Sequence, residues 1–219
     1  MSIQNLFRKI VRNIEDFGAL ATAIKGVCYL FKPIYENRIY TVYGVDLCRI
    51  AVHEVESNDF YFRIVRPNDH SIIKQIVAME EWLCGRLACK LRNQSLCIAA
   101  MDRKRVAGFN LISFNEVYIP LLKLTKSLKQ DEAWSEQISV HKNCRRKCLA
   151  TALRYRVFSE LKKRDVKMLY GGTLKGNTAA LNLARKVGFK ELEDIHFINR
   201  FGSKKWCTIE VEKECALKK

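Results

Sequence analysis

Proline is scarce in this chain, three in 219 residues, and neither a low-complexity tract nor an internal repeat accompanies it. That argues against a disordered protein, which is proline-rich and poor in apolar side chains. Acidic residues are also few, 23 against 39 lysines and arginines, for a formal net charge of +16. The mostly apolar segment Gly18–Phe31 holds Lys25 and falls short of the ~20 residues a membrane span needs. The N-terminus lacks an apolar run followed by a small-residue cleavage site, so no export signal is expected. The nine cysteines are odd in number and scattered, which does not suit a disulfide framework; a reduced, cytoplasmic protein is the expectation. His141, Cys144 and Cys148 lie closest to a metal-ligand grouping. They lack paired CxxC spacing, so no metal is expected. No helix-turn-helix or RNA-binding signature is visible, which ranks nucleic acid last among partners.

What is present suits a folded domain. Hydrophobic residues make up 48% of the chain, enough for a proper core, and the length fits one domain plus an extension. The excess of positive charge reads either as a surface for an anionic partner or as solubility and lineage bias. Residues 1–59 read as a helical, basic extension. In it Leu6, Ile10, Ile14 and Phe17 recur at helical spacing, with Arg8, Lys9 and Arg12 on other faces. Such a helix can lie on an anionic membrane, or pack on its own domain or on a second copy. Tyr35, Tyr40 and Tyr43 follow, then a strand expected near Leu47–Val52, with a lid over a binding site as one role for the segment.

From Phe60 onward the chain alternates between strand and helix patterns. Phe60–Arg66 reads as a strand closed by Pro67 and Asn68. Ile72, Ile76, Leu83 and Leu87 mark a long helix or helix pair ending near Asn93. Leu96–Met101 and Val106–Phe114 read as a hairpin about Asp102–Arg105, and Asn115–Glu132 shows no clear element. Further on come a buried strand Val166–Thr173 and a helix Asn177–Val187 burying Ala180, Leu183, Ala184 and Val187. A final hairpin, Glu191–Arg200 and Lys205–Glu212, turns at Gly202-Ser203. The fold class is mixed α/β: a central mixed sheet with flanking helices, over 60–219.

The stretch Ala133–Ala184 organises the rest. Trp134, Glu136, Ile138 and Val140 alternate as one face of a strand would. A cationic turn follows, Arg145-Arg146-Lys147, and then Leu149, Leu153, Val157 and Leu161 recur at helical turns. A strand feeding a basic turn that opens a helix is suited to hold a phosphate, because free N–H groups and the positive dipole end meet there. Downstream, Asn177 suits a helix N-cap and Gly188 a helix stop.

The run Arg145-Arg146-Lys147-Cys148-Leu149-Ala150 resembles the pyrophosphate turn of the GNAT superfamily of acyl-CoA N-acyltransferases, Arg/Gln-x-x-Gly-x-Gly/Ala. Cys148 stands where that family has glycine. Asn177, Ala180, Gly188 and Phe189 match its second motif in register, while Ala184 replaces the usual tyrosine. The resemblance implies acetyl-CoA, or another acyl-CoA, as cosubstrate, without a metal. It implies that the backbone of Ile138, Ser139 and Val140 holds the pantetheine arm. It assigns the pyrophosphate to Arg145, Arg146, Lys147, Cys148, Leu149, Ala150 and Thr151, with Asn177 and Ala180 also at the cofactor. Glu136, four residues before Val140, is expected to face the thioester and act as general base, its plain alternative being a solvent-facing or salt-bridged strand carboxylate. The general acid is unassigned, with Tyr170, Tyr155 and His196 the candidates by type. Acceptors would be small-molecule or peptide amines, reached by direct attack. An acyl carrier protein as donor, a non-catalytic acyl-CoA-binding module and a homodimer remain open.

Overall fold

The computed structural model describes residues 35–51 and 59–210. In chain order these form β1 (Tyr35–Asp46), β2 (Tyr61–Ile64), α1 (His70–Met79), α2 (Leu87–Arg92), β3 (Leu96–Asp102) and β4 (Arg105–Ser113). Then come β5 (Glu116–Ile119), β6 (Leu124–Ser127), β7 (Glu132–Val140), α3 (Leu149–Lys162), β8 (Met168–Leu174), α4 (Thr178–Lys186), β9 (Lys190–Arg200) and β10 (Ser203–Glu210). The described residues fall into two compact units, one of 40–194 with 209–210 and one of 35–39 with Ile195–Thr208. Within the smaller unit β10 lies beside β9, and the Trp206 ring packs on that of Phe197 at 5.7 Å.

In the larger unit the strands run in the order β1-β8-β7-β4-β3-β2. The β7–β8 pair is parallel, while β1–β8, β4–β7, β3–β4 and β2–β3 are antiparallel. A parallel pair needs a long crossover, which α3 supplies. Its stripe Leu149, Leu153, Val157 and Leu161 is buried as the spacing predicts, joined by Ala152 and Phe158. Each such leucine stabilises the fold by roughly 2 kcal/mol. One core layer unites α3 and α4 with Leu96, Ile98, Ala100, Ile112, Ala133 and Leu169 of the sheet. On the opposite face α1 and α2 bury Ile72, Ile76, Leu87 and Leu91 against Cys97, Ala99, Phe109 and Leu111. The helix pair, the first hairpin and the mixed α/β class thus agree with the sequence pattern.

Three expectations differ. The strand placed near Leu47–Val52 lies earlier, as β1, with a turn from Leu47 to Arg49. Both faces of β1 are buried from Tyr40 to Val45, which removes the period-two alternation a strand otherwise shows. Asp46 ends it, its carboxylate accepting from Cys48 N at 2.9 Å, the side-chain turn that aspartate favours. The second difference is Asn115–Glu132, which holds the β5–β6 hairpin, with Val117 and Ile119 buried on strands of four residues each. The third is the face of α4, which buries Leu181 and Ala184, with Val187 buried just beyond; Ala180 and Leu183 are only half-buried. The N-terminal helix expected about Leu6–Phe17, the segment Gly18–Phe31 and the basic tail lie outside the described residues, as does Val52.

Candidate functional site

The ladder between β7 and β8 stops early. Its pairs run from Glu132↔Met168 to Ser135↔Gly171, yet β7 continues to Val140 and β8 to Leu174. On its other side β7 stays paired with β4 as far as Val140↔Gly108. Residues 136–140 therefore have main-chain groups on one side with no strand partner among the described residues, in the middle of a sheet. All five are half-buried. An extended chain carrying amides can add there as a strand would.

The two ladders around the gap are closely fitted. A Cβ on Gly172 would stand 2.2 Å from Tyr40 Cε1, so only glycine lets β8 pass that ring. Burial holds the Tyr40 hydroxyl well above the usual phenol range. Below the gap, Arg154 of α3 is buried and donates to Ser135 Oγ at 2.6 Å; Ser135 Oγ donates to Asn110 Oδ1 at 3.0 Å. Desolvation lowers the Arg154 pKa, with Tyr43 acting against it.

Beyond β7 the chain makes a 3₁₀ turn at Lys142–Cys144 and reaches the start of α3. Arg146 and Cys148 both have left-handed backbones, φ 65° and 54°. Cys148 is the N-cap residue of α3 and is exposed. The helix ladder begins with Ala152 N donating to Cys148 O at 3.0 Å, which leaves the N–H groups of Leu149, Ala150 and Thr151 without helical acceptors. Arg145, Arg146 and Lys147 are exposed around this helix start. Arg145 Nε donates to Val140 O at 3.4 Å, tying the turn to the strand end. Lys147 Nζ lies 5.8 Å over the Phe60 ring and 4.0 Å from Asp59. Free amides, a dipole end and full charges converge here, as an anion site requires. The sequence places a glycine-type turn here with cysteine in it, and the left-handed φ shows that the turn keeps its shape.

Glu136 departs from expectation in its facing. The β4–β7 register slips between Leu111↔Gln137 and Ile112↔Ser135, leaving Glu136 as the extra residue of a β-bulge. A bulge breaks the alternation of side chains. Ile138 and Val140 pack into the α3 layer. The Glu136 carboxylate instead meets Lys90 of α2 at 2.7 Å and the hydroxyl of Ser113. It thus lies toward α1 and α2 with Ser139, whose Oγ donates to Glu80 Oε1 at 3.0 Å. Single-residue alternation cannot register a bulge: it puts Glu136 on the face of Ile138 and Val140, and the structure has it on the opposite one, beside the open edge of β7. Lys90 and Ser113 were missed; no spacing within the chain links them to position 136.

On α4 the Asn177 side chain accepts from Ala180 N at 3.2 Å, the N-cap expected of it. Gly188 closes the helix at φ 89°, with Gly188 N on Arg185 O and Phe189 N on Ala184 O, the paired bonds of a glycine C-cap. Ala184 is buried in the core. Of the acid candidates, Tyr170 donates to Glu132 Oε1 at 3.3 Å, and its pKa is raised, by desolvation first and then by Glu132. Tyr155 packs edge-on to Phe158, and His196 belongs to the smaller unit. Among the described residues no group of three or more His, Cys, Asp or Glu is placed to hold a metal, and no helix is long and apolar enough to cross a membrane.

Comparison with known proteins follows the same lines. The model of the acetyltransferase (GNAT) family matches residues 50–189. No curated protein matches significantly. Among solved structures, a GCN5-related N-acetyltransferase from Sphaerobacter thermophilus superposes with a TM-score of 0.56 at 15% identity, over 88% of this chain and 58% of that one. A tandem GNAT protein of the clavulanic acid biosynthesis pathway gives 0.54 at 14% identity, over 80% and 54%. The glucosamine N-acetyltransferase region of a fungal multi-domain β-N-acetylglucosaminidase gives 0.57 at 13%, over 78% and 22%. This chain spans just over half the length of the first two. At these identities the likeness is one of fold.

Proposed function

Starting from the chain's membership of the acetyltransferase (GNAT) family, we propose that it transfers an acetyl or other acyl group from coenzyme A to a primary amine, by direct attack. The observation that carries this reading is the unpaired edge of β7 leading directly into the cationic start of α3. The pantetheine amides pair with the main chain of Ile138, Ser139 and Val140. The pyrophosphate takes the N–H groups at the start of α3, with Arg145, Arg146 and Lys147 around it. Asn177 and Ala180, at the start of α4, border the cofactor. Fixing the thioester along a rigid strand is itself catalytic, because it removes the entropy of bringing the reactants together.

Glu136 serves as general base. As the amine nitrogen bonds to the thioester carbon and the C–S bond breaks, the nitrogen's proton passes to the carboxylate. The thiolate leaves and is protonated from solvent, since the tyrosine position of the family is the buried Ala184. The products are the N-acyl amine and free coenzyme A. The acceptor is a small-molecule or peptide amine.

Two features favour a second reading, a non-catalytic acyl-CoA-binding module: Cys148 in the glycine position and Ala184 in the tyrosine position. The net charge of +16 suits a transferase of longer acyl chains with the acidic acyl carrier protein as donor. The test is thiol release from acetyl-CoA and from decanoyl-CoA against spermidine, glucosamine, kanamycin and an N-terminal alanine peptide. Amine-dependent thiol release supports the transferase. Micromolar binding of acyl-CoA with no release above the amine-free rate supports the module, and no binding at all removes both and leaves acyl carrier protein as the donor to test.

A further inference from the structure

The carboxylate of Glu136 is held asymmetrically. Lys90 Nζ donates to Oε1 at 2.7 Å, and Ser113 Oγ donates to the same oxygen. Among the described residues none donates to Oε2, and it is absent from the buried side-chain atoms left without a partner. It is therefore not sealed in the interior, although the side chain as a whole is only 5% exposed. A carboxylate has lone pairs on both oxygens, so anchoring one fixes the direction in which the other points.

The anchors are themselves held. Lys90 sits on α2 between the buried Leu87 and Leu91, and its main-chain oxygen accepts from Ser95 N at 3.0 Å. Ser95 Oγ in turn lies 3.5 Å from Ser113 Oγ. Ser113 is buried at the end of β4, in register with Trp134 beside the bulge. Helix α2, the end of β4 and the bulge of β7 thus meet on one oxygen atom.

The geometry points to Lys90 and Ser113 as positioning residues that clamp Oε1 of Glu136 and leave Oε2 as the oxygen that takes the amine proton. This rests on the general-base role given to Glu136 above. A lysine ammonium and a hydroxyl on one oxygen remove the carboxylate's rotational freedom, so the base meets the amine already aimed. They act through Glu136 and need not touch substrate.

The test uses the whole chain, acetyl-CoA, and the amine of the panel above that gives the fastest thiol release. Lys90→Met should lower kcat about 10-fold and leave KM for acetyl-CoA within about twofold. Lys90→Arg should restore most of the loss, and Ser113→Ala should lower kcat by a smaller factor. The double variant Lys90→Met/Glu136→Gln should be no slower than Glu136→Gln alone, because a residue acting through another has nothing left to aim. A merely structural lysine would slow both backgrounds by the same factor, and that result overturns the inference, as does an unchanged kcat in Lys90→Met. Should Lys90→Met fail to fold, the Ser113→Ala and Lys90→Arg pair in both backgrounds decides the question on the same criterion. Full turnover by Glu136→Gln is a separate outcome: it removes the base itself, and the clamp with it.

Discussion

Ser135 of β7 and Gly171 of β8 form the last pair of their ladder, and among the described residues no strand meets the five residues of β7 beyond it on that side, which leaves a gap in the sheet. A central strand with unpaired amides is costly unless water or a ligand meets them. Here the gap lies between the buried Arg154 network on one side and the clamped Glu136 on the other. Ser135 accepts from Arg154 at the point where the ladder ends. The opening is therefore held by side chains and is not a frayed end.

That hydrogen bond supports an asymmetric prediction. Ser135→Ala leaves a buried guanidinium with one more unpaired N–H and should destabilise the fold by about 1–3 kcal/mol. Arg154→Met removes the charge together with its Nε, which has no partner among the described residues, and should cost less. Urea unfolding of the two variants checks the order; a larger loss for Arg154→Met would show that the guanidinium itself stabilises the fold.

Cys148 occupies the left-handed region without being glycine, which costs roughly 1 kcal/mol for an L-residue. Cys148→Gly should be as stable as the parent, because the strain it relieves offsets the added freedom of the unfolded chain. Its affinity for acetyl-CoA should be equal or higher. Cys148→Val, β-branched at positive φ, should lose about 1 kcal/mol or more. Thermal melts and calorimetric titrations of both variants make the comparison, and a stable Cys148→Val would contradict the assigned backbone.

The basic turn is expected to act through charge. Replacing Arg146 and Lys147 together by alanine should weaken acetyl-CoA binding by roughly 10-fold at low ionic strength, with a smaller gap in 0.5 M salt, since exposed charges are screened. Titrations at the two salt concentrations measure it. A loss independent of salt would assign the turn a role in shape instead.

Cys97 is fully buried, and burial pushes its thiol up to about 12. In native protein it should resist alkylation at pH 8.5, where the exposed Cys48, Cys84, Cys89, Cys148 and Cys207 react. The folded state keeps this proton where the unfolded state loses it. Its contribution to stability is therefore intact below the ordinary thiol pKa and falls as pH rises toward 12, by up to about 1.4 kcal/mol per pH unit. Mass mapping of alkylated native protein tests the first point. Denaturant melts at pH 8 and 10, against Cys97→Ala, test the second.

The sequence made legible whatever has a local signature. The α3 stripe from Leu149 to Leu161, the Asn177 cap and the Gly188 stop each depend on residues within one or two helical turns, and all are found in place. The order of strands and helices from Phe60 to Phe114 is of the same kind. Strand β1 was misplaced because burial on both faces erases alternation. The bulge at Glu136 and its contact with Lys90 depend on register between strands and on packing across 46 positions of sequence. No periodicity within one segment reports such a meeting. Cys148 was recognised as the odd residue of its turn, and its φ shows what that position demands.

The central claim is that acetyl-CoA lies along the open edge of β7 with its pyrophosphate at the start of α3. Backbone hydrogen exchange, with and without saturating acetyl-CoA, tests it at the atoms concerned. The account predicts slower exchange of the amides in 146–151 and along the open edge at 136–140, with Cys97 and Phe109 in the far layer unchanged. Exchange unchanged at both segments while acetyl-CoA binds elsewhere, or does not bind, would contradict it.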